Sequence, residues 1–221
     1  MSDVQEPAKK KKKNRPNDPE GTMANILAVA TQEFSDKGYN GARVDEIALK
    51  THTSKWMIYY YFENKEGLYS AVLREYIGKL RQAEREVDLS SLAPLEALER
   101  LVHNTFDYHI GSASGVRLVL VENIHRGKYI SRLEGIKTLN TELIAHLREI
   151  LRRGAEQGVM RKDIDPLDLY ASIAALCFFN VSNRHTFKAL FEVDLTSPAI
   201  VAKRRRSVTD MVLSHVRKPG K

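Results

Sequence analysis

Apolar residues recur at helical spacing along most of the chain. In the first such segment, Ile26, Leu27, Ala30 and Phe34 follow an i, i+1, i+4, i+8 pattern, which places them on one face of a helix. The Gly-Tyr-Asn-Gly cluster at 38–41 contains residues that tolerate a positive φ. We therefore predict that the first helix ends just before this cluster.

Two short helices follow, separated by a turn at 51–53. The first of them has an apolar stripe and carries acidic residues in its opening turn, where they suit the helix dipole. Ser54 is a suitable N-cap for the second, whose spacing predicts that three side chains face inward, namely Ile58, Tyr61 and Phe62. Asn64 suits the N-cap of a fourth helix, which we predict to run to about Val87.

The rest of the chain also has helical spacing and lacks the two-residue alternation of a half-buried strand. Glycines and prolines divide it into five further predicted helices. Their predicted ranges are 94–111, 116–126, 129–157, 166–187 and 198–217. We therefore predict an all-α protein of about nine helices, in which an N-terminal three-helix unit is joined by helix 4 to a larger helical domain.

Length and charge refine this division. The 221 residues, of which 43% are hydrophobic, suffice for one small and one larger helical domain. The first 19 residues are instead polar, contain prolines and include five consecutive lysines, Lys9 to Lys13. Such a segment buries too little apolar surface to offset the entropy of ordering, so we expect a flexible basic arm over residues 1–19. Because this run supplies five charges of a net +7, the remaining chain is nearly balanced.

Several functional classes have no support in the sequence. Cys177 is the only cysteine, so an intrachain disulfide and a cysteine-built zinc site are excluded, and its apolar helix indicates a core residue. The longest apolar stretch, 171–179, is shorter than the roughly 20 residues of a membrane-spanning helix, and no secretory signal precedes it. We expect a cytoplasmic protein with no metal, cofactor or catalytic residues, because nucleophile, metal-spacing and phosphate-loop motifs are missing.

The third predicted helix has an outward face with unusual chemistry. If Ile58, Tyr61 and Phe62 point inward, then Lys55, Trp56, Tyr59 and Tyr60 lie on or beside the outer surface. Lysine can reach guanine acceptors or phosphate, aromatic surfaces can touch thymine methyl groups, and phenols can donate to phosphate oxygens. The alternative is that the aromatic run packs a small core, which is the reading we favour only for Tyr61 and Phe62. The face is typical of a helix-turn-helix DNA reader.

Three short motifs strengthen this interpretation. The segments Val44-Asp45-Glu46-Ile47-Ala48, Thr53-Ser54-Lys55-Trp56-Met57-Ile58-Tyr59-Tyr60-Tyr61-Phe62 and Asn64-Lys65-Glu66-Gly67-Leu68 together resemble the signature of the TetR family of repressors. The resemblance spans residues 20–75. Three positions depart from the usual pattern, with His52 in place of a turn glycine, Trp56 in place of a small residue, and Arg43 where Ser or Thr often stands.

The resemblance implies a DNA-binding domain over 20–66 and a ligand-binding and dimerisation domain over 67–218. It also implies roles for individual side chains. Those expected near bases are Lys55, Trp56, Met57 and Tyr59, and those expected mainly on phosphates are Arg43, Ser54, Tyr60 and Lys65. Base contacts set sequence preference, whereas phosphate contacts set position.

Aromatic, basic and amide residues of the larger domain suggest a site for a small flat anion. The candidates are Phe106, His109, Arg117, Asn123, His125, Phe178, Phe179, Asn183 and Arg184. We hypothesise that the effector is an aromatic or heterocyclic carboxylic acid and that the chain regulates a catabolic operon. The alternative for each candidate is a surface or interface residue.

The resemblance further implies dimerisation through the last two predicted helices. Candidate contacts are Ile173, Leu176, Val208, Met211, Val212 and His215. Packing within one subunit is equally compatible with their spacing. A dimer would place two recognition helices about one DNA turn apart and would require a roughly palindromic double-stranded operator.

Taken together, these features predict a homodimeric transcriptional repressor released by a small-molecule effector. A ligand-independent DNA-organising protein is the alternative, and it would bind with little sequence preference and strong salt dependence. The run from Lys9 to Lys13 is either a DNA-contacting extension or a solvated tail, and its composition favours the tail.

Overall fold

The computed structural model of the chain describes residues 18–85 and 91–219. The all-α prediction is confirmed, since these residues form ten α-helices and contain no β-strand. The helices of the N-terminal part are α1 Pro19–Gly41, α2 Val44–Lys50, α3 Lys55–Phe62 and α4 Lys65–Arg85. Those of the remainder are α5 Pro94–Gly111, α6 Ala113–Ile124, α7 Ile136–Glu156, α8 Pro166–Ser182, α9 Arg184–Phe191 and α10 Pro198–Val216.

Two predictions concern segments outside the described residues. These are the basic arm with Lys9 to Lys13 and the end of the fourth helix near Val87. Within the described ranges, no helix is long and apolar enough to cross a membrane.

The N-terminal helices form a small core in which the helix-turn-helix is held. Ile58 and Phe62 are buried in this core as predicted, while Tyr61 is only half-buried at its edge. Helix α1 is kinked at Gly38, whose φ of 67° lies in the left-handed region, so the predicted break at the glycine cluster is a kink within α1. In the turn after α2, His52 adopts a φ of 53°, a conformation that glycine adopts without strain.

The second core lies among α5, α7, α8 and α10. Leu98, Leu101, Leu147, Ile173 and Val208 are all buried there. The two cores meet along α4, which runs from one to the other, and along the contact of α6 with α1. The helix-turn-helix is therefore connected to the larger set of helices through α1 and α4, on which α2 and α3 pack.

Two predicted helices are interrupted, and the second interruption explains why the described residues form ten α-helices where about nine were predicted. The predicted helix 129–157 is wrong in its first turns, where a 3-10 helix at Ile130–Arg132 precedes a break at Gly135. Gly135 has a φ of 74°, so α7 begins only at Ile136. The predicted helix 166–187 is broken at Asn183, after which α9 begins. No glycine or proline marks that second break.

Candidate DNA-reading face and ligand cavity

Helix α3 presents the chemistry that its sequence predicts. The Ser54 hydroxyl caps the helix by accepting a hydrogen bond from the backbone N–H of Met57 at 3.1 Å. Trp56 and Tyr60 are each 69% exposed, and their rings stack with centroids 5.5 Å apart. Such an exposed aromatic pair is a large apolar surface, which suits contact with a base or a sugar.

The two lysines among the predicted DNA-binding residues, Lys55 and Lys65, have different environments. Lys55 is exposed and forms an ion pair with Asp45 of α2 at 3.0 Å. Lys65, at the start of α4, is half-buried, and its ammonium lies 5.0 Å from the centre of the Tyr39 ring. Burial lowers the pKa of Lys65 from its usual value. Lys55 belongs to α3 itself, and Lys65 opens the helix that follows it.

The eight predicted DNA-binding residues fall on three neighbouring elements. Arg43 is the exposed N-cap of α2, Lys65 opens α4, and the others belong to α3 or its N-cap. Ser54 uses its hydroxyl for capping, and Met57 and Tyr59 are half-buried. All eight therefore lie on the contacting elements α2, α3 and α4 or their caps, and five of them are exposed, namely Arg43, Ser54, Lys55, Trp56 and Tyr60.

Glu33 holds α2 in place next to this region, and the sequence pattern had not identified it. It is 1% exposed on the inner face of α1, where it accepts hydrogen bonds from Lys37 and Lys50 at 2.7 and 2.8 Å. The backbone N–H of Arg43 also points to it, at 3.4 Å. An acidic residue within the apolar spacing of Ala30 and Phe34 is the sequence signal that would have identified it.

A cavity of about 470 Å³ lies between α4, α6, α7 and α8. Most of its wall is apolar, and a smaller polar part is contributed by several helices. The apolar members are Ile77, Leu80, Val119, Ile130, Ile136, Ala174, Ala175 and Phe178. The polar members are Tyr76, Arg81, His109, Asn123, Asn140 and Tyr170. This combination of volume and lining is typical of a site for a small organic molecule.

Arg81 organises the polar end of the cavity. Its Nε donates to Asn140 Oδ1 at 2.9 Å, and its Nη1 donates to the Tyr170 hydroxyl at 2.7 Å and to the Glu84 carboxylate. Glu84 also accepts from Thr105 Oγ1 at 3.1 Å. Burial raises the pKa of Glu84 and Arg81 opposes that rise. The cavity thus contains a cation whose charge is already paired.

His109 is the second ionisable group of the wall. Its Nδ1 lies 3.0 Å from the hydroxyl of Tyr76. Burial, assisted by the positive charge of Arg81, lowers the pKa of His109 to about 4. The imidazole is therefore neutral at pH 7 and can exchange hydrogen bonds without adding charge to the cavity.

Three of the nine predicted ligand-binding residues line this cavity, namely His109, Asn123 and Phe178. Phe106 is buried in the second core, and Arg117 forms a surface ion pair with Asp36 at 2.8 Å. His125 lies beside Tyr129, while Phe179 is 43% exposed and packs on Phe187. The remaining two, Asn183 and Arg184, lie at the break between α8 and α9.

The predicted dimer residues divide by exposure. Ile173, Val208 and Val212 are buried in the subunit's own core, as the alternative interpretation predicted. Leu176 is half-buried, whereas Met211 and His215 lie on the outer face of α10. Helical periodicity explains the division, because the inward ridge of α10 carries 208 and 212 while 211 and 215 point away.

A helix-turn-helix unit joined to a helical domain with an internal cavity defines a class of DNA-binding regulators, and comparisons identify the family. The family model described as "Bacterial regulatory proteins, tetR family" matches residues 26–72. The model described as "Tetracyclin repressor-like, C-terminal domain" matches residues 94–212. The chain belongs to the TetR family, which confirms the resemblance.

Individual relatives agree with this assignment. The chain is 34% identical over 197 residues to the HTH-type transcriptional repressor NicS of Pseudomonas putida, covering 89% of this chain and 93% of NicS. It is 30% identical over 161 residues to the HTH-type transcriptional repressor SCO4008 of Streptomyces coelicolor, covering 72% of this chain and 78% of that protein. The chain is accordingly a DNA-binding transcriptional repressor and not an enzyme.

Solved structures agree in fold. The ketosteroid transcriptional regulator KstR2 of Mycobacterium tuberculosis matches with a TM-score of 0.69 at 20% identity, covering 93% of this chain and 98% of KstR2. FadR of Bacillus subtilis, solved in complex with stearoyl-CoA, matches with a TM-score of 0.63 at 19% identity, covering 88% and 99%. At these identities the likeness concerns the fold alone.

Proposed function

We propose that this repressor is a homodimer that leaves its operator when a small-molecule effector enters the cavity between α4, α6, α7 and α8. The observation that carries the proposal is the cavity itself. Its volume of about 470 Å³ and its largely apolar wall suit an organic ligand. Helix α4 supports the coupling, because it contributes both to the cavity wall and to the core that holds α3.

The effector that we propose is an aromatic or heterocyclic carboxylic acid. Arg81 and Asn140 offer donors to the cavity, and Ile77, Ile136 and Phe178 offer apolar surface. A guanidinium group suits a carboxylate because it donates in a planar fork. Since Glu84 already pairs with Arg81, a monoanion suits this site better than a dianion. Regulation of a catabolic operon would follow from such an effector.

The dimer would form through the outer faces of α8 and α10. Exposed apolar side chains on these faces include Leu167 at 62%, Phe179 at 43% and Met211 at 43%. His215 lies beside Met211 on α10. We therefore propose Leu167, Phe179, Met211 and His215 as interface residues in place of the buried Ile173, Val208 and Val212. Two-fold symmetry would pair two recognition helices with a roughly palindromic operator.

The division of labour follows the two parts of the chain. We propose DNA binding by residues 20–66 and effector binding and dimerisation by residues 67–218. On the reading face, Lys55, Trp56, Met57 and Tyr59 would approach bases, and Arg43, Ser54, Tyr60 and Lys65 would contact phosphates. A repressor of this kind acts on genomic DNA, so we propose the cytoplasm as its location.

Selection of bound genomic fragments, followed by sequencing, tests the DNA part of the proposal. We expect a few fragments that share a roughly palindromic site, bound by a dimer. Binding to all fragments with equal affinity, governed only by salt, would instead indicate a DNA-organising protein. Light scattering at micromolar concentration tests the dimer, and a monomeric mass would contradict it.

A thermal-shift and operator-release assay tests the effector class. Benzoate and picolinate are the anionic probes, and benzamide is the neutral probe of matched shape. We expect the acids to raise the melting temperature and to release the operator. Stabilisation by benzamide alone would contradict the carboxylic acid. Arg152→Met is a suitable control, because Arg152 pairs with Glu149 and Glu156 on the exposed face of α7, outside the cavity, and should leave the response to the acids unchanged.

A further inference from the structure

Tyr129 of the larger domain is inserted into the core of the helix-turn-helix unit. It follows α6 in the chain and is 4% exposed. Its ring centre lies 4.6 Å from that of Tyr39 and 5.1 Å from that of Tyr69, which belong to α1 and α4. A side chain that follows α6 therefore completes an aromatic cluster with α1 and the first turns of α4.

Glu122 holds the backbone of this segment. One carboxylate oxygen, Oε1, accepts hydrogen bonds from the N–H groups of Tyr129 and Ile130 at 2.7 and 2.9 Å. Arg126 and Gly127, with φ of 58° and 70°, reverse the chain between the end of α6 and this anchor. Tyr129 and Ile130 are thus fixed to the same oxygen and cannot move independently without breaking a buried hydrogen bond.

The Glu122 carboxylate could also form a different hydrogen bond. Glu122 Oε2 and the Tyr69 hydroxyl are both buried without a hydrogen-bond partner. They are neighbours, since burial and then the charge of Glu122 raise the pKa of Tyr69. A small rotation of either group would pair them and relieve two unsatisfied polar atoms. Glu122 therefore has the Tyr69 hydroxyl as a further hydrogen-bonding partner beside the backbone of Tyr129 and Ile130.

The two ends of this set of contacts face the two functional sites. Ile130 lines the cavity, so a bound molecule would contact its side chain. At the other end, the Tyr39 ring lies under the ammonium of Lys65 at 5.0 Å, and Lys65 also donates to the backbone oxygen of Asn40 at 3.4 Å. Contacts thus run from the cavity through Ile130, Tyr129 and Tyr39 to Lys65.

We infer that Tyr129 is the positioning residue through which the cavity sets the Lys65 phosphate contact. This inference rests on the proposed release by an effector. A molecule that displaces Ile130 must also displace Tyr129, because Glu122 joins their backbones. The aromatic cluster is close-packed, so movement of Tyr129 shifts Tyr39 and, with it, the ammonium of Lys65. Operator affinity falls because a phosphate contact is misplaced.

A cavity-filling substitution tests this without knowledge of the effector. Ala174 is half-buried and lines the cavity from α8. The substitution Ala174→Phe therefore places an aromatic ring in the cavity, where it stands in for a bound effector. Operator affinity is measured by fluorescence anisotropy at fixed salt, on dimers whose fold is checked by circular dichroism. In an otherwise unchanged chain, Ala174→Phe is expected to weaken operator binding about tenfold or more.

Variants at Tyr129 then separate coupling from simple damage. Tyr129→Leu removes the inserted ring, so adding Ala174→Phe to it is expected to change operator affinity less than about twofold. Tyr129→Phe keeps the ring and is expected to retain the full effect of Ala174→Phe. If Tyr129→Leu does not fold, Tyr39→Leu interrupts the next contact and is expected to give the same loss of coupling.

The outcomes distinguish this inference from the proposed function. An equal effect of Ala174→Phe with and without Tyr129 would overturn the coupling role of Tyr129, and so would the lack of any effect in the unchanged chain. If no organic acid stabilises the protein while the Tyr129-dependent effect is observed, the effector class is wrong and the coupling holds. If acids release the operator equally well from Tyr129→Leu, effector-responsive repression holds and the coupling is wrong.

Discussion

The carboxylate of Glu33 lies 2.8 Å from the ammonium of Lys50, at the far end of α2. The same carboxylate accepts a hydrogen bond from Lys37 of its own helix at 2.7 Å and faces the N–H of Arg43, the N-cap of α2, at 3.4 Å. One buried group thus ties α1 to both ends of α2. Since α3 packs on α2, Glu33 also helps to fix the position of the recognition helix α3.

Glu33→Gln should weaken the fold in a pH-dependent way. Burial alone would raise the pKa of Glu33, but the hydrogen bonds from Lys37, Lys50 and Arg43 outweigh it and lower the pKa. A lowered pKa stabilises the fold above the unfolded value and loses that effect as pH falls through the folded value. We expect a loss of about 1–3 kcal/mol in unfolding free energy at pH 7, which shrinks on acidification.

Urea unfolding at several pH values measures this difference. Glu149→Gln is the control, because Glu149 pairs with Arg152 on the exposed face of α7 and its removal should change stability little. A difference between Glu33→Gln and the unchanged chain that stays constant down to pH 3 would contradict the assignment of the effect to ionised Glu33.

Two glycine substitutions should have opposite effects. A Cβ at Gly115 of α6 would collide with the ring of Tyr76, whereas a Cβ at Gly78 of α4 would meet no atom within 4 Å. Gly115→Ala is therefore expected to cost about 1–3 kcal/mol through overpacking. Gly78→Ala is expected to add about 0.5–1 kcal/mol through helix propensity. Denaturant unfolding of the two variants measures both changes in unfolding free energy. Equal changes would contradict a close contact between position 115 and the Tyr76 ring.

His109 should make the fold sensitive to acid. Burial, and then Arg81, lower its pKa to about 4 from 6.5. The unfolded chain then binds more protons than the folded chain between these values, so stability is complete above pH 6.5 and falls as pH drops towards 4. The loss attributable to His109 is on the order of 3 kcal/mol. In His109→Gln this slope should be reduced, and NMR titration of the ring should give the low pKa directly.

The recognition helix was predictable from local spacing, because its burial pattern repeats within one helix. Ile58 and Phe62 are buried and Trp56 is exposed, as the periodicity predicted. The polar end of the cavity was not predictable in this way. Arg81 meets Asn140 and Tyr170 across 59 and 89 residues of sequence, and helical periodicity contains no information about such distant partners.

The break at Asn183 was missed for a related reason. Helix end signals such as glycine and proline are local, and this segment has neither. In the structure, Asn183 leaves the helical conformation with a φ of −103° and a ψ of 6°, while the buried Asn180 side chain donates to the backbone oxygen of Leu195 at 3.0 Å. The chain leaves the helix close to a tertiary hydrogen bond, and helix propensity contains no information about that contact.

Trp56 and Lys65 should affect DNA binding in different ways. Trp56→Ala removes the exposed ring stacked on Tyr60 and is expected to change the preferred operator bases. Lys65→Ala is expected to weaken all sites alike and to lower the slope of log affinity against log salt by about 1. Lys79→Ala is the control, because Lys79 pairs with Glu75 farther along α4. Identical effects of Trp56→Ala and Lys65→Ala would remove the distinction between base and phosphate contacts.

Arg81 and Glu84 should behave as a coupled pair. Arg81→Met leaves the Glu84 carboxylate, which is fully buried, without its counter-ion, and this is expected to cost about 3–5 kcal/mol. Adding Glu84→Gln removes the stranded charge but keeps a side chain that can bond to Thr105 and Tyr170. We therefore expect the double variant to be more stable than Arg81→Met alone, as measured by urea unfolding.

The same pair separates stability from effector binding. In Arg81→Met, acidification should reduce the defect, because protonation neutralises Glu84 and its pKa rises further once Arg81 is gone. The double variant should fold and bind its operator, yet lose its response to benzoate and picolinate, since the guanidinium proposed to bind the carboxylate is missing. An intact response in the folded double variant would place the anion-binding group elsewhere in the cavity, where Asn123, Asn140, Tyr76, Tyr170 and His109 are the other polar residues of the wall.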